Sequence, residues 1–244
     1  MSFFGNIFGY KQFLLEYRDV LLLITTVSFI TLVIMYIIGY FIQIELSHLN
    51  KISLSNILKV CKTGDLIITR WDHVDIGYRL FCKYCHVGMI YKDPETNNVF
   101  LIETHPEEFD DSDINNEFPR SGVNMYPLKE RIENYQGTCY FLKLKKNVVK
   151  KFDFEKYAKI PFSTDFRYSF LENWFYNKLN ITKEKVELDN TMYCSELIGH
   201  ILKDLNILDK TIKINTLSPD SFETLTDFNT RLYENSIKIK CVVK

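Results

Sequence analysis

Between Val20 and Gln43 the chain carries no charged residue: VLLLITTVSFITLVIMYIIGYFIQ. As an α-helix this run is about 36 Å long at ~1.5 Å per residue, enough to cross a hydrocarbon core of about 30 Å. Arg18 and Asp19 precede it, and Glu45 and His48 follow. A signal peptide has a shorter apolar core and a small-residue cleavage site, and neither is present. A buried core helix is the competing reading, but the run is too long and too uniformly apolar for it. The expected organisation is an N-terminal flank over 1–19, a transmembrane helix over 20–44, a linker over 45–60 and a folded domain over 61–244. Lys11 and Arg18 lie on the N-terminal side of the span, and Lys51, Lys59 and Lys62 on the other. The positive-inside rule then places the folded domain in the cytoplasm.

Charge excludes one large class of function. The chain has 30 basic and 31 acidic residues, a formal net charge of -1. Nothing in this balance draws it to nucleic acid, and its basic runs (Lys143-Leu144-Lys145-Lys146, Lys150-Lys151) are short enough to be solvated faces. The cysteines, Cys61, Cys82, Cys85, Cys139, Cys194 and Cys241, show no framework spacing. They read as reduced thiols in a cytosol-like compartment, where a free thiol can act as a nucleophile. The single sequon Asn180-Ile181-Thr182 decides nothing by itself.

Beyond Cys61 the pattern changes to short strands. Thr63-Gly64-Asp65 reads as a turn, followed by strands at 66–69, 86–91 and 99–104, with a turn over 92–98 between the last two. Further strands are expected at 123–126, 138–144 and 237–243. Phe166 to Leu179 reads as an aromatic packing helix. Tyr193 to Leu205 reads as an amphipathic helix with Leu197, Ile198, Ile201 and Leu205 on its apolar stripe. A short helix is expected from Pro219 to Leu225, entered at a proline after Ser218. Strands cluster in the middle and helices come late, which is an α+β order. The loop 105–122 is long and acidic, as functional loops often are.

Cys194 falls at the predicted start of the 193–205 helix. Helix N-termini stabilise a thiolate and present backbone N–H groups to an oxyanion. The competing reading is an inert buried thiol. His86 opens a strand on which His86, Gly88 and Ile90 share one face. Gly88 is expected to leave space above the strand for a ligand or a second element. Folding the two strands about a turn near Glu95 brings Glu103 or His105 opposite His86. Either can accept the ring N–H and fix the imidazole tautomer, and a carboxylate also stabilises an imidazolium. Glu103 is therefore the first choice, with His105 as the alternative.

The order Gly64-Asp65-Leu66-Ile67, His86-Val87-Gly88, Glu103, then Tyr193-Cys194-Ser195-Glu196-Leu197 resembles the circularly permuted NlpC/P60 group of papain-like proteins, the YiiX/YaeF-like set that includes poxvirus members. In ordinary members the Cys helix precedes the His strand, whereas here the Cys comes last. Leu217-Ser218-Pro219-Asp220-Ser221-Phe222 resembles the segment that follows the Cys helix in that group. The resemblance covers about residues 60–230. It implies a permuted papain-like α+β fold, a small antiparallel sheet packed on helices, with Cys194 as nucleophile, His86 as general base and Glu103 as orienter. The membrane span and His105 depart from the family pattern.

The expected activity is that of a membrane-anchored cysteine hydrolase or acyltransferase working on an amide, peptide or ester bond, with a peptide or lipid acyl group as substrate and no cofactor. The lean toward Lys, Asn and Ile, taken with the poxvirus resemblance, points to a viral or virion membrane. A different class of function is a catalytically silent binding protein that keeps the fold. It would be favoured by a Cys194 sulfur more than about 6 Å from the His86 ring. A third is a zinc protein using Cys82-Lys83-Tyr84-Cys85-His86, but zinc needs about four ligands and no second pair follows. Trp71-Asp72-His73 is a surface loop or a cleft wall.

Overall fold

A computed structural model describes residues 17–71, 83–105, 122–148, 152–158, 192–227 and 230–240. The expected helix 166–179, nearly all of the acidic loop, Asp72, His73, Cys82, Lys150, Asn180 and Cys241 lie outside the described residues. The chain divides into two units, with the N-terminal apolar helix in one and residues 49–74 and 82–244 in the other.

The first unit contains helix α1 (Arg18–Ser47). Its span Val20–Ser47 has a mean hydropathy of 2.6 over an 18-residue stretch and is long and apolar enough to cross a membrane. Large apolar side chains point outward along its length, among them Leu22, Phe29, Leu32, Tyr36 and Phe41. Its threonines are satisfied within the helix. Thr25 donates to Leu21 O and Leu22 O, Thr26 to Leu22 O, and Thr31 to Val27 O. A helix that meets its own polar needs is compatible with a hydrocarbon environment.

The second unit is a mixed α/β domain. In chain order it contains β1 (Lys51–Ser53), α2 (Leu54–Val60), β2 (Leu66–Trp71), β3 (His86–Lys92), β4 (Val99–His105), β5 (Gly122–Pro127), α3 (Leu128–Glu133), β6 (Gly137–Leu142), α4 (Cys194–Asp204), a 3-10 turn (Ile214–Thr216), α5 (Ser221–Thr224), β7 (Thr226–Asp227), β8 (Thr230–Arg231) and β9 (Ile237–Lys240). The main sheet has the order β1-β9-β6-β2-β3-β4-β5, and β7 and β8 form a separate ribbon. All main-sheet pairs are antiparallel except β1 with β9.

The stretch 45–60, expected as a linker, belongs to folded structure. It completes α1 to Ser47, then supplies an edge strand and a helix. Ser53 caps α2 by accepting from the Asn56 N–H, and Leu54 and Ile57 are buried. A capped helix with two buried aliphatics is part of a core, because each such side chain contributes roughly 1.5–3 kcal/mol on burial. Leu54 and Ile57 join Ile67, Ile90, Leu101, Phe141 and Ile239 of the sheet and Leu128 and Ile132 of α3 in one apolar cluster.

The predicted strands form with bounds shifted by a few residues at most. The expected 138–144 strand ends at Leu142, with Leu144 in an isolated bridge to Tyr233. The expected 219–225 helix is shorter and starts at Ser221. The turn before β2 is held by Asp65, whose buried carboxylate accepts from the N–H groups of Lys62 (2.9 Å) and Leu144 (2.8 Å).

Helix α4 packs on β3 and β4. It buries Leu197, Ile198, Ile201 and Leu202. Its C-terminus closes with Asn206 at φ 57°, the Ile207 N–H reaching Leu202 O and the Asn206 N–H reaching Lys203 O. That pair of bonds is a Schellman ending, and Asn is one of the few non-glycine residues at ease in that conformation. On α4, Gly199 is needed for close approach: a Cβ there would lie 2.7 Å from Ile214 Cγ2 and 2.9 Å from Leu217 Cδ1.

Candidate active site

Residues from three separate elements meet at the site. Cys194 is the first residue of α4, behind Tyr193 in extended conformation. The earliest N–H groups of any helix have no carbonyl of the same helix within reach and favour negative charge beside them. His86 is the first residue of β3, and Glu103 lies near the end of β4.

Glu103 Oε2 sits 2.7 Å from His86 Nε2. The Cys194 side chain lies close enough to His86 to raise the ring's pKa. With Nε2 engaged by Glu103, Nδ1 is the ring nitrogen left for the sulfur. The imidazole thus lies beside both the thiol and the carboxylate. Burial opposes charge on the ring, but the Cys194 sulfur and the Glu103 carboxylate outweigh it and raise the His86 pKa to about 10. The His86 side chain retains 12% exposure and that of Glu103 2%.

The hairpin register explains why Glu103 is the partner. Ile90 pairs with Leu101 and Met89 with Ile102, where the described β3–β4 ladder ends. Continuing that register would set His105 across from His86, with Glu103 two residues back on the same face. Glu103 reaches the imidazole diagonally. Glu103 itself is buried.

One expectation fails here. Gly88 does not leave space above the strand, because a Cβ there would lie 2.8 Å from Leu101 Cδ1 and 3.2 Å from the Ile102 carbonyl. The missing side chain admits Leu101 of the neighbouring strand rather than a ligand.

A residue not anticipated from sequence completes the cluster. Arg131 Nε donates to Glu103 Oε1 at 2.6 Å. Its guanidinium lies 5.3 Å from the Tyr126 ring centre and 5.7 Å from that of Tyr135. Glu103 is therefore held at both oxygens, one by His86 and one by Arg131. The signal in the sequence is confined to a single helical turn. Leu128, Arg131 and Ile132 share the buried stripe of α3, and an arginine on an apolar stripe requires an acidic partner. Beside His86, its β2 pairing partner Thr69 shares a 2.6 Å hydrogen bond with the Tyr135 hydroxyl.

Among the described residues no group of three or more His, Cys, Asp and Glu side chains is placed to hold a metal ion. Cys85, the described half of the C-x-x-C pair, is a buried thiol outside any disulfide. Its N–H bonds the Thr69 carbonyl at 2.8 Å.

The arrangement can take a proton from a thiol, hold the resulting imidazolium against a fixed carboxylate, and present the sulfur at a helix start. No protein-family model matches the chain, and no curated protein matches it.

Proposed function

We propose that this protein is a membrane-anchored cysteine hydrolase or acyltransferase acting on an amide, peptide or ester bond, with a permuted papain-like arrangement of its domain. The observation that carries the reading is the His86 imidazole, hydrogen-bonded to Glu103 and close enough to the Cys194 side chain for its pKa to be raised by both. In the reaction the Cys194 proton passes to His86 ahead of substrate, and the resulting thiolate sulfur attacks the substrate carbonyl carbon. The tetrahedral intermediate collapses to an acyl-enzyme as His86 protonates the leaving amine or alcohol. His86 then takes a proton from water or another acceptor, which attacks the thioester and frees Cys194. Glu103 keeps the Nε2–H oriented and supports the positive charge through both steps. The backbone N–H of Cys194 would help hold the oxyanion.

The chain order supports the permuted relationship, since the strands bearing base and carboxylate precede the nucleophile helix. Helix α1 supports the anchor, with the domain on the cytoplasmic side of a membrane, viral or virion membranes included. The substrate is a peptide or a lipid acyl group, and the anchor favours one held at or near a membrane. The test is covalent labelling with an activated acyl thioester probe at neutral pH, followed by mass mapping of the modified residue. Acylation of Cys194 in the parent is expected, with none at any cysteine of the Cys194→Ala chain above the level of denatured protein. Equal labelling of parent and Cys194→Ala would remove the nucleophile assignment.

A further inference from the structure

The nucleophile and its base sit on separate elements, and one short segment bonds to the chain beside both. Ser195, next to the nucleophile, is buried and donates its hydroxyl to the Leu217 carbonyl at 2.7 Å. Three residues later Asp220 accepts the N–H of Tyr84 at 2.7 Å and that of Lys83 at 3.2 Å. These are the residues that lead into β3, and the Cys85 N–H is in turn fixed to Thr69 O. Glu223 adds Lys83 Nζ at 2.6 Å and the Tyr84 hydroxyl at 2.9 Å. Tyr84 is fully buried, bonded to Ser236 at 2.8 Å and edge-on to Tyr140. The segment is braced internally, the Ser221 N–H reaching Ser218 O and the Ser218 N–H reaching Ser221 Oγ. Gly199 lets Leu217 close on α4.

We propose that the segment from Leu217 to Glu223 is a yoke that sets the Cys194–His86 distance, with Ser195 and Asp220 as its positioning residues. The inference rests on the cysteine-enzyme reading above and deepens it. A carboxylate bonded to two successive backbone N–H groups fixes the direction of the chain, not merely a side chain. That direction decides where His86 enters its strand. A displacement of about 1 Å at such a pair can cost on the order of a hundredfold in rate. Burial lifts the Asp220 carboxyl to about 6, against the pull of the two N–H groups. The carboxylate is therefore ionised, and accepting, at neutral pH.

The test compares alkylation of Cys194 by iodoacetate and by iodoacetamide, followed on the Cys194 peptide by mass spectrometry in the full-length protein in detergent. An imidazolium beside the thiolate favours the anionic reagent, so the ratio of the two rates reports the pair. The parent ratio should exceed that of His86→Ala and fall only at alkaline pH. Asp220→Ala should lower it about fivefold and move its alkaline fall toward neutrality, and Ser195→Ala should act in the same direction. The double variant should lose no more than the more damaging single, because both act through one yoke. Asp220→Asn, which keeps one acceptor oxygen, serves where the alanine variant does not fold and should fall between parent and His86→Ala. Folded Asp220 variants with the parent ratio and profile, or losses that multiply in the double variant, would overturn the yoke alone. A parent ratio equal to that of His86→Ala would overturn the pair itself, and the yoke with it.

Discussion

Glu103 and His86 meet at 2.7 Å across two strands whose described ladder has already ended, so their contact is made by side-chain reach rather than by strand pairing. The contact fixes which imidazole nitrogen faces the sulfur. Replacing Glu103 with Gln keeps the volume but presents an uncharged amide that can turn its NH2 toward Nε2. The ring then loses both its preferred tautomer and its countercharge. Acylation of Cys194 by the thioester probe should slow about a hundredfold or more in Glu103→Gln, with little change in the circular dichroism spectrum.

Arg131 has a different dependence. Its side chain is nearly buried, and it bonds a carboxylate that is buried too. Removing one member of such a pair leaves the other charge uncompensated, at a cost of about 3–5 kcal/mol. Arg131→Met should lower the unfolding free energy read from urea titration by that amount, with an earlier midpoint, and Arg131→Lys should recover part of it. A lysine restores charge, but not the guanidinium plane that lies near Tyr126 and Tyr135. An unchanged midpoint in Arg131→Met would mean that the Arg131–Glu103 bond holds nothing in place.

These two residues show what the sequence made legible. Glu103 could be found because a hairpin has only two candidates of the right parity opposite a given residue, and only one of them was a carboxylate. Arg131 was harder to see because α3 is a six-residue helix. So short an element has too few turns to announce an amphipathic stripe. Asp220 was quoted as part of a motif, but its role is invisible in sequence because its partners are main-chain N–H groups 136 and 137 residues away. The linker was misjudged for a related reason. Residues 51–60 become an edge strand and a helix only because β9, at the other end of the chain, supplies the parallel partner for β1. Local patterns carried the strands, the Cys helix and the long apolar helix, while contacts distant in sequence carried the second layer of the site.

The imidazole gives a pH signature of its own. The folded-state pKa of His86 is about 10, above the ordinary value of 6.5. A cationic group raised in this way contributes stability in full below about 6.5, and loses that contribution as pH climbs through its folded pKa. The melting temperature of the parent should therefore exceed that of His86→Gln most at pH 6. The gap should narrow steadily toward pH 10. A gap that widens with pH would mean that His86 is held neutral, and that the sulfur and Glu103 do not stabilise its charge.

The anchor can be tested independently of the chemistry. Helix α1 presents Val27, Ile30 and Ile34 outward. Arginine at the centre of a span costs about 2.5–3.5 kcal/mol per residue on insertion scales. The full-length chain should stay with membranes through alkaline carbonate extraction, and the triple variant Val27→Arg/Ile30→Arg/Ile34→Arg should be released. Orientation has a reporter already in the chain, the sequon Asn180-Ile181-Thr182. Glycan transfer occurs on the side of the membrane away from the cytosol. With the domain in the cytoplasm, as Lys51, Lys59 and Lys62 after the span favour, the chain made in a glycosylating membrane system should show no endoglycosidase-sensitive mass. A glycan removable at Asn180 would place the domain on the opposite face, where an oxidising environment works against a free catalytic thiol.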